Sequence, residues 1–194
     1  MKTSMILLAS VLGMALATAV CAAPVNYTID PDHTHPEIEA DHFGGLSVWR
    51  GIFKKTTGTV VMDKVAGTGT VDVDVDTASI DMAMDKLSAG VASPEFLDSA
   101  KYPVAHYHGT LADFVGGGPT VVKGELTLHG VTKPVDLKIL SFKCMQHPVY
   151  KREVCGADAT GSFDRSDFGI TMGKDWGFKM GVTLRIQVEA IADK

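Results

Sequence analysis

Residues 71–76 read VDVDVD, so that three valines alternate with three aspartates. Residues 181–190, GVTLRIQVEA, show the same alternation over a longer stretch. Successive side chains of a β-strand point to opposite faces, and an antiparallel sheet with one buried face carries one apolar and one polar row. The two stretches therefore predict strands whose apolar side chains pack inward and whose charged side chains face water.

Similar patterns recur through the chain and are separated by glycine-rich turns. Further candidate strands lie at residues 27–30, 37–42, 51–63, 104–111, 125–128, 135–139 and 156–163. This many strands in one domain must close into a barrel or pack as a sandwich, because long open edges would otherwise remain. We therefore predict an all-β fold.

Residues 78–98 break the alternation and predict a helical insertion between two strands. Residues 85–90 suit a short helix. Residues 93–97, SPEFL, suit a second one, with Ser93 as its N-cap and Pro94 at the first helical position.

Composition narrows the class of protein. The 194 residues suit one domain, and the 45% hydrophobic content excludes a disordered chain. The net charge of −5 argues against nucleic acid as a partner, because phosphate binding requires a basic surface.

Residues 1–23 predict a secretory signal peptide. Lys2 precedes an apolar core at residues 5–17, and small residues follow up to Ala19 and Ala23. We expect cleavage after Ala23, with Ala19 as the alternative, so that residues 24–194 form an exported, periplasmic domain without a membrane span. A retained anchor and lipid attachment at Cys21 are the competing interpretations.

The mature chain keeps two cysteines, Cys144 and Cys155. Pairing is the default for two thiols in an oxidising compartment, so we predict a disulfide. The sequence has no G-x-S-x-G, H-E-x-x-H, P-loop or G-x-G-x-x-G motif, and we expect no catalysis.

The histidines suggest a second hypothesis. His33 and His35 share one face of a predicted strand, as do His106 and His108, and two such pairs could bind zinc or copper if the strands were neighbours. His42 instead falls on an apolar face, either as a core residue or as a polar group inside a cavity.

Several motifs, in order, resemble one family. Residues 27–34 read YTIDPDHT, residues 41–44 DHFG, residues 93–103 SPEFLDSAKYP and residues 124–135 GELTLHGVTKPV. Together they resemble the YceI-like family of exported bacterial proteins, and the resemblance spans residues 27–190. Two features depart from the family pattern: the cysteine pair, and Pro36, which would place a bulge or an edge in the opening strand.

The resemblance implies an antiparallel lipocalin-like β-barrel of about eight strands with a short helical insertion. It implies that a long-chain isoprenoid, or a related amphiphile such as a fatty acid or its amide, is held in a hydrophobic pore, with no other cofactor and no catalysis. The candidate ligand-binding residues are those of inward parity and four rim or lining aromatics: Ile38, His42, Trp49, Phe53, Val60, Met62, Val73, Val75, Phe96, Tyr107, Leu126, Leu128, Leu137, Ile139, Phe168, Leu184 and Ile186.

Three alternatives stay open at this point. The interior of a barrel of this size can be filled by side chains instead of a ligand. The protein could be a periplasmic metal-binding protein that uses His33, His35, His106 and His108, or an enzyme that acts on a lipid. A homodimer is compatible with the sequence, which names neither the head group nor the chain length of a lipid.

Overall fold

The computed structural model describes residues 23–194. The predicted signal peptide lies outside the described residues except for Ala23. Within the described range the chain forms twelve strands, one α-helix and three short 3-10 turns. The strands are β1 (Val25–Ile29), β2 (Glu37–His42), β3 (Ser47–Phe53), β4 (Thr56–Asp63), β5 (Thr68–Asp76), β6 (Ile80–Asp81), β7 (Val104–Ala112), β8 (Val121–Leu128), β9 (Val131–Pro134), β10 (Leu137–Gln146), β11 (Glu153–Asp164) and β12 (Gly181–Ala192). The helix is α1 (Asp85–Ala92), and the 3-10 turns are Thr77–Ser79, Arg165–Phe168 and Lys174–Trp176.

The strands close into an antiparallel barrel of eight rows. Three rows each consist of two strands that are consecutive in the chain: β1 with β2, β3 with β4, and β5 with β6. The other rows are β7, β8, β10, β11 and β12, and β9 pairs with β8. β12 closes the barrel by pairing with both parts of the first row. The predicted barrel of about eight strands with a short helical insertion is confirmed.

The opening row is interrupted around Pro36. β1 ends at Ile29 and β2 begins at Glu37, and the break between them contains Pro31 as well as Pro36, neither of which has an N–H to donate to the sheet. The Asp30 carboxylate stabilises the break by accepting hydrogen bonds from the Asp32 backbone N–H at 3.0 Å and from His33 Nδ1 at 2.9 Å. The prediction that His33 and His35 share a strand face is therefore wrong, since both lie in the break.

The helical insertion is one helix rather than two. α1 covers the predicted residues 85–90 and continues to Ala92. Residues 93–97 form turns, and Ser93 is the C-cap of α1: its backbone N–H and its Oγ both donate to the Gly90 carbonyl oxygen. A serine can cap either end of a helix by hydrogen bonding to local backbone groups, and here it ends one. The second predicted helix is thus wrong.

The alternation in β5 separates the inside of the barrel from the outside. Val71, Val73 and Val75 pack inward, whereas Asp72 and Asp74 face outward. The apolar interior contains two buried clusters, one around Tyr27 and Met62 and the other around Phe53 and Leu128. Within residues 23–194, the structure contains no helix with the length and apolar character that spanning a membrane requires.

Candidate functional site

A cavity of about 470 Å³ extends along the barrel interior and is lined by residues of both core clusters. This volume falls in the range of about 300–1,000 Å³ that is usual for small-molecule sites. Its wall is made by the inward-facing residues of the strands, such as Val182, Leu184, Ile186, Val188 and Ala190 of β12. The strict two-residue period of each strand therefore produces an almost wholly apolar wall.

One end of the cavity, the closed end, is defined by Tyr27, Lys64, Glu153 and the cysteine pair. The Tyr27 hydroxyl donates to the Glu153 carboxylate, and Lys64 Nζ donates to both carboxylate oxygens at 2.7 Å. Burial and the neighbouring Glu153 raise the pKa of Tyr27 far above its usual value. Burial alone would raise the pKa of Glu153, but hydrogen bonds from Lys64 and Tyr27 outweigh it and lower that pKa. The polar groups at this end thus satisfy one another.

Cys144 and Cys155 face each other across β10 and β11 at the same end. Their Cα atoms are 4.0 Å apart, and their sulfur atoms lie within bonding distance. Cys155 is buried and lines the cavity. The pair is therefore placed to link two neighbouring strands at this end of the cavity.

The other end, the mouth, is rich in aromatic side chains. His42, Trp49, Trp176 and Phe178 line the cavity there. The His42 ring lies 5.3 Å from the Trp49 ring and 5.2 Å from the Phe178 ring, between ring centres. These residues come from the β2–β3 hairpin and from the loop that precedes β12, so two loops build the mouth together.

Asp41 connects these two loops. Its carboxylate accepts hydrogen bonds from the backbone N–H of Lys179 at 2.9 Å and of Gly44 at 2.8 Å. These backbone hydrogen bonds, that of Lys179 first, lower the pKa of Asp41. The mouth is therefore held by a carboxylate that stays ionised at neutral pH.

The family model of the YceI-like domain matches residues 27–190. The chain belongs to the YceI-like family. A UPF0312 protein of Pseudomonas putida strain W619 is 34% identical over 162 residues, which cover 82% of this chain and 83% of that protein. A UPF0312 protein of Shewanella sp. strain W3-18-1 is 31% identical over 169 residues, which cover 86% and 87% of the two chains. The resemblance predicted from the motifs is confirmed.

Solved structures share the YceI-like fold. BcnA of Burkholderia cenocepacia has a TM-score of 0.64 and 20% identity, and the match covers 83% of this chain and 98% of BcnA. A polyisoprenoid binding domain from Saccharophagus degradans, implicated in plant cell wall breakdown, has a TM-score of 0.60 and 16% identity, with 87% and 99% coverage. At these identities the likeness concerns the fold.

The YceI-like barrel brings the predicted ligand-binding residues together. All of them except Phe168 line the cavity. Phe168 lies on the 3-10 turn after β11, where strand parity no longer applies, and its ring packs 5.2 Å from that of Phe163. The Phe168 carbonyl oxygen accepts a hydrogen bond from His129 Nδ1. Phe168 is therefore buried behind the residues that line the cavity. Contact between the lining residues and a ligand stays a prediction.

Sequence reasoning missed a second group of lining residues. Leu87 and Val91 come from α1, where their spacing of four residues places them on one helix face. This helical spacing is visible in the sequence and could have identified Leu87 and Val91 as inward-facing residues. Other missed residues come from the segment between β11 and β12, which has no periodic pattern: Arg165, Ile170, Met172, Trp176 and Phe178.

The four histidines of the metal hypothesis do not meet. His106 and His108 lie on the outer face of β7, where their Nδ1 atoms contact Asp74 at 2.8 Å and Asp72 at 3.0 Å. His33 and His35 lie in the break before β2, and the rows β4 and β5 separate β1 from β7. Across residues 23–194, the single group of three potential ligands close enough for one metal is Cys144, Glu153 and Cys155.

Proposed function

We propose that this protein is an exported carrier that holds a long-chain isoprenoid, or a related amphiphilic lipid, in its barrel cavity without catalysing a reaction. The observation that carries the proposal is the apolar cavity that extends from the closed end to the aromatic mouth. The similarity in fold to the polyisoprenoid binding domain from Saccharophagus degradans supports the choice of ligand.

Burial of the apolar chain would supply most of the affinity. Each CH₂ group transferred from water to an apolar site contributes about 0.8 kcal/mol. A chain of many carbons can therefore bind tightly without a hydrogen bond to the wall. Such a site selects for length and width of an apolar chain, which fits a carrier of lipids.

The proposed cellular setting is the periplasm. The first 23 residues have the features of a cleaved signal peptide, and the opposed Cys144 and Cys155 fit a disulfide formed in an oxidising compartment. Within the described residues, the cavity wall has no serine or cysteine positioned beside a histidine for nucleophilic attack, which supports a role without catalysis.

Native mass spectrometry of the exported protein, followed by organic extraction, tests the proposal. We expect one apolar lipid of defined mass per protomer. The mass of the intact assembly in the same spectrum shows whether the protein is a monomer or a homodimer. Protein that binds no long-chain lipid after exposure to an extract of its host membranes would contradict the proposal.

A matched pair of variants locates the ligand. Ile186→Lys places a charge in the middle of the cavity wall, whereas Gln187→Lys places the same charge on the outer face one residue later. We expect the lipid to be lost from the first variant and retained by the second. Equal retention by two folded variants would mean that the lipid is bound elsewhere.

A further inference from the structure

The polar groups of the cavity wall are unevenly distributed. At the closed end, Tyr27 donates to Glu153 and Thr34 Oγ1 donates to the Glu189 carbonyl oxygen. Further along, the Tyr107 hydroxyl donates to the Val135 carbonyl oxygen at 2.9 Å. These hydroxyl groups are engaged with the protein itself. The Thr56 hydroxyl also lines the cavity and has no hydrogen-bond partner among the described residues, but it carries no charge. The part of the wall around Tyr27 and Tyr107 therefore suits an apolar chain.

Arg165 is different, because it brings a positive charge into the wall. It is 8% exposed and lines the cavity. Its guanidinium donates to two backbone carbonyl oxygens, those of Ile170 at 3.0 Å and Met172 at 2.6 Å. These bonds orient the group and leave further N–H donors, since a guanidinium has five.

The charge of Arg165 has no ionic partner. Among residues 23–194, no carboxylate oxygen lies within 4.0 Å of its nitrogen atoms. The adjacent Asp164 carboxylate accepts hydrogen bonds from the backbone N–H and the hydroxyl of Ser166 instead. A buried charge without a counter-charge is unfavourable, so an anion beside the guanidinium would stabilise it.

Trp49 adds a second donor at the same end. Its Nε1–H is buried and has no hydrogen-bond partner among the described residues. Phe163 on β11 pairs with Val182 on β12, Val182 with Ala40 on β2, and Ala40 with Trp49 on β3. Trp49 and Phe163 therefore lie on one row of paired residues and pack against the same core cluster, and Arg165 follows Phe163 by two residues.

The other ionised residue of the wall is already occupied. Among the described residues that line the cavity, Asp41 is the one aspartate or glutamate and Arg165 the one lysine or arginine. The Asp41 carboxylate accepts hydrogen bonds from the Gly44 and Lys179 backbone, whereas Arg165 and Trp49 can donate and cannot accept. The mouth end thus offers donors and a positive charge to whatever enters.

We propose that Arg165 and Trp49 form a head-group site for an anionic amphiphile, one whose long apolar chain fills the cavity and whose carboxylate or phosphate lies at the mouth end. The inference rests on the proposed function and narrows its ligand class. Carboxylate and phosphate share the chemistry that matters, since both accept charge-assisted hydrogen bonds from a guanidinium.

Matched lipid pairs test the charge of the head group. Palmitic acid and hexadecanol share one chain, as do farnesyl phosphate and farnesol, and each can be titrated calorimetrically from methyl-β-cyclodextrin. We expect the anionic member of at least one pair to bind about tenfold more tightly or better than its alcohol, because hydrogen bonds to charged groups are the strong ones. The pair with the larger ratio identifies carboxylate or phosphate as the preferred head.

Variants assign the preference to residues. Arg165→Met keeps the length of an unbranched chain without its charge, and Trp49→Phe keeps an aromatic ring without its N–H. For each variant, the preference is the ratio of the anion's affinity to that of its alcohol. We expect Arg165→Met to abolish this preference and Trp49→Phe to reduce it several-fold. If Arg165→Met does not fold, the ¹⁵N–¹H indole signal of Trp49 in the wild type gives a second readout. That signal should shift downfield with palmitate and stay unchanged with hexadecanol.

The outcomes separate this inference from the proposed function. Failure of all four lipids to bind would contradict the carrier function. Binding of each alcohol as tightly as its anion would contradict the anionic site and leave the carrier function standing. A preference for the anion that survives in both variants, or a Trp49 signal that ignores palmitate, would also overturn the assignment.

Discussion

The closed end and the mouth of the barrel are built on different physical principles. At the closed end, Tyr27, Glu153 and Lys64 form a chain of hydrogen bonds, and Cys144 and Cys155 lie opposite each other on two strands. At the mouth, loops replace strands, and apolar side chains face water: Phe43 is 52%, Leu46 75% and Trp176 63% exposed. The polar groups at the closed end are paired with one another, whereas the mouth has exposed aromatic side chains and, in the cavity wall, the Trp49 Nε1–H, which has no partner within residues 23–194.

This difference indicates how stability and binding are divided between the ends. Groups with complete internal partners contribute to folding, and their removal leaves buried atoms unpaired. Exposed apolar groups contribute little to folding, and Trp176 is both exposed and part of the cavity lining, so it is placed to contact a lipid that enters there. Substitutions at the closed end should therefore lower the free energy of unfolding, and substitutions at the mouth should change lipid exchange.

The largest expected effect concerns the cysteine pair. Replacement of both by alanine, Cys144→Ala with Cys155→Ala, should lower the free energy of unfolding by about 2–3 kcal/mol, because the cross-link restricts the unfolded chain. Urea unfolding with and without reductant measures this. The wild type should lose a similar amount in reductant, and the double variant should lose nothing further. A wild type that is insensitive to reductant would show that the pair is not oxidised.

A smaller effect is expected for the Glu153 carboxylate. Its pKa is lowered in the folded state by Lys64 and Tyr27 against the opposing effect of burial. Its contribution is therefore complete above the unfolded value of about 4.3 and is lost as the pH falls through the lower folded value. Glu153→Gln should reduce the free energy of unfolding by about 1 kcal/mol at pH 7.

The pH dependence of that variant provides the check. The difference between the wild type and Glu153→Gln in urea unfolding should shrink from pH 7 to pH 3. Glu125→Gln is a matched control, because Glu125 lies exposed on β8 and its replacement should change stability by less than about 0.5 kcal/mol. A difference that is constant with pH would mean that the charge of Glu153 does not stabilise the closed end.

The two ends also differ in how far the sequence predicts them. The alternation of apolar and polar residues places Met62, Val73 and Ile186 inside the barrel, because strand parity is a local property. Parity gives no guidance at Trp176 or at Phe168, which is predicted only as a rim or lining aromatic, since loops and 3-10 turns have no two-residue period. His33 and His35 show a further limit: they lie between Pro31 and Pro36, and prolines can interrupt a strand whose pattern otherwise continues.

The smallest effect on stability, and the clearest one on exchange, is expected at Trp176. This residue lines the cavity at the mouth but is 63% exposed, so Trp176→Ala should change the free energy of unfolding by no more than about 0.5 kcal/mol. Loss of the ring widens the mouth, and a bound lipid should transfer to acceptor vesicles several-fold faster in stopped-flow measurements. Val65→Ala is the matched control, because Val65 is 74% exposed in the β4–β5 turn at the closed end. Equal transfer rates for the two variants would mean that the aromatic mouth is not the route by which lipid leaves.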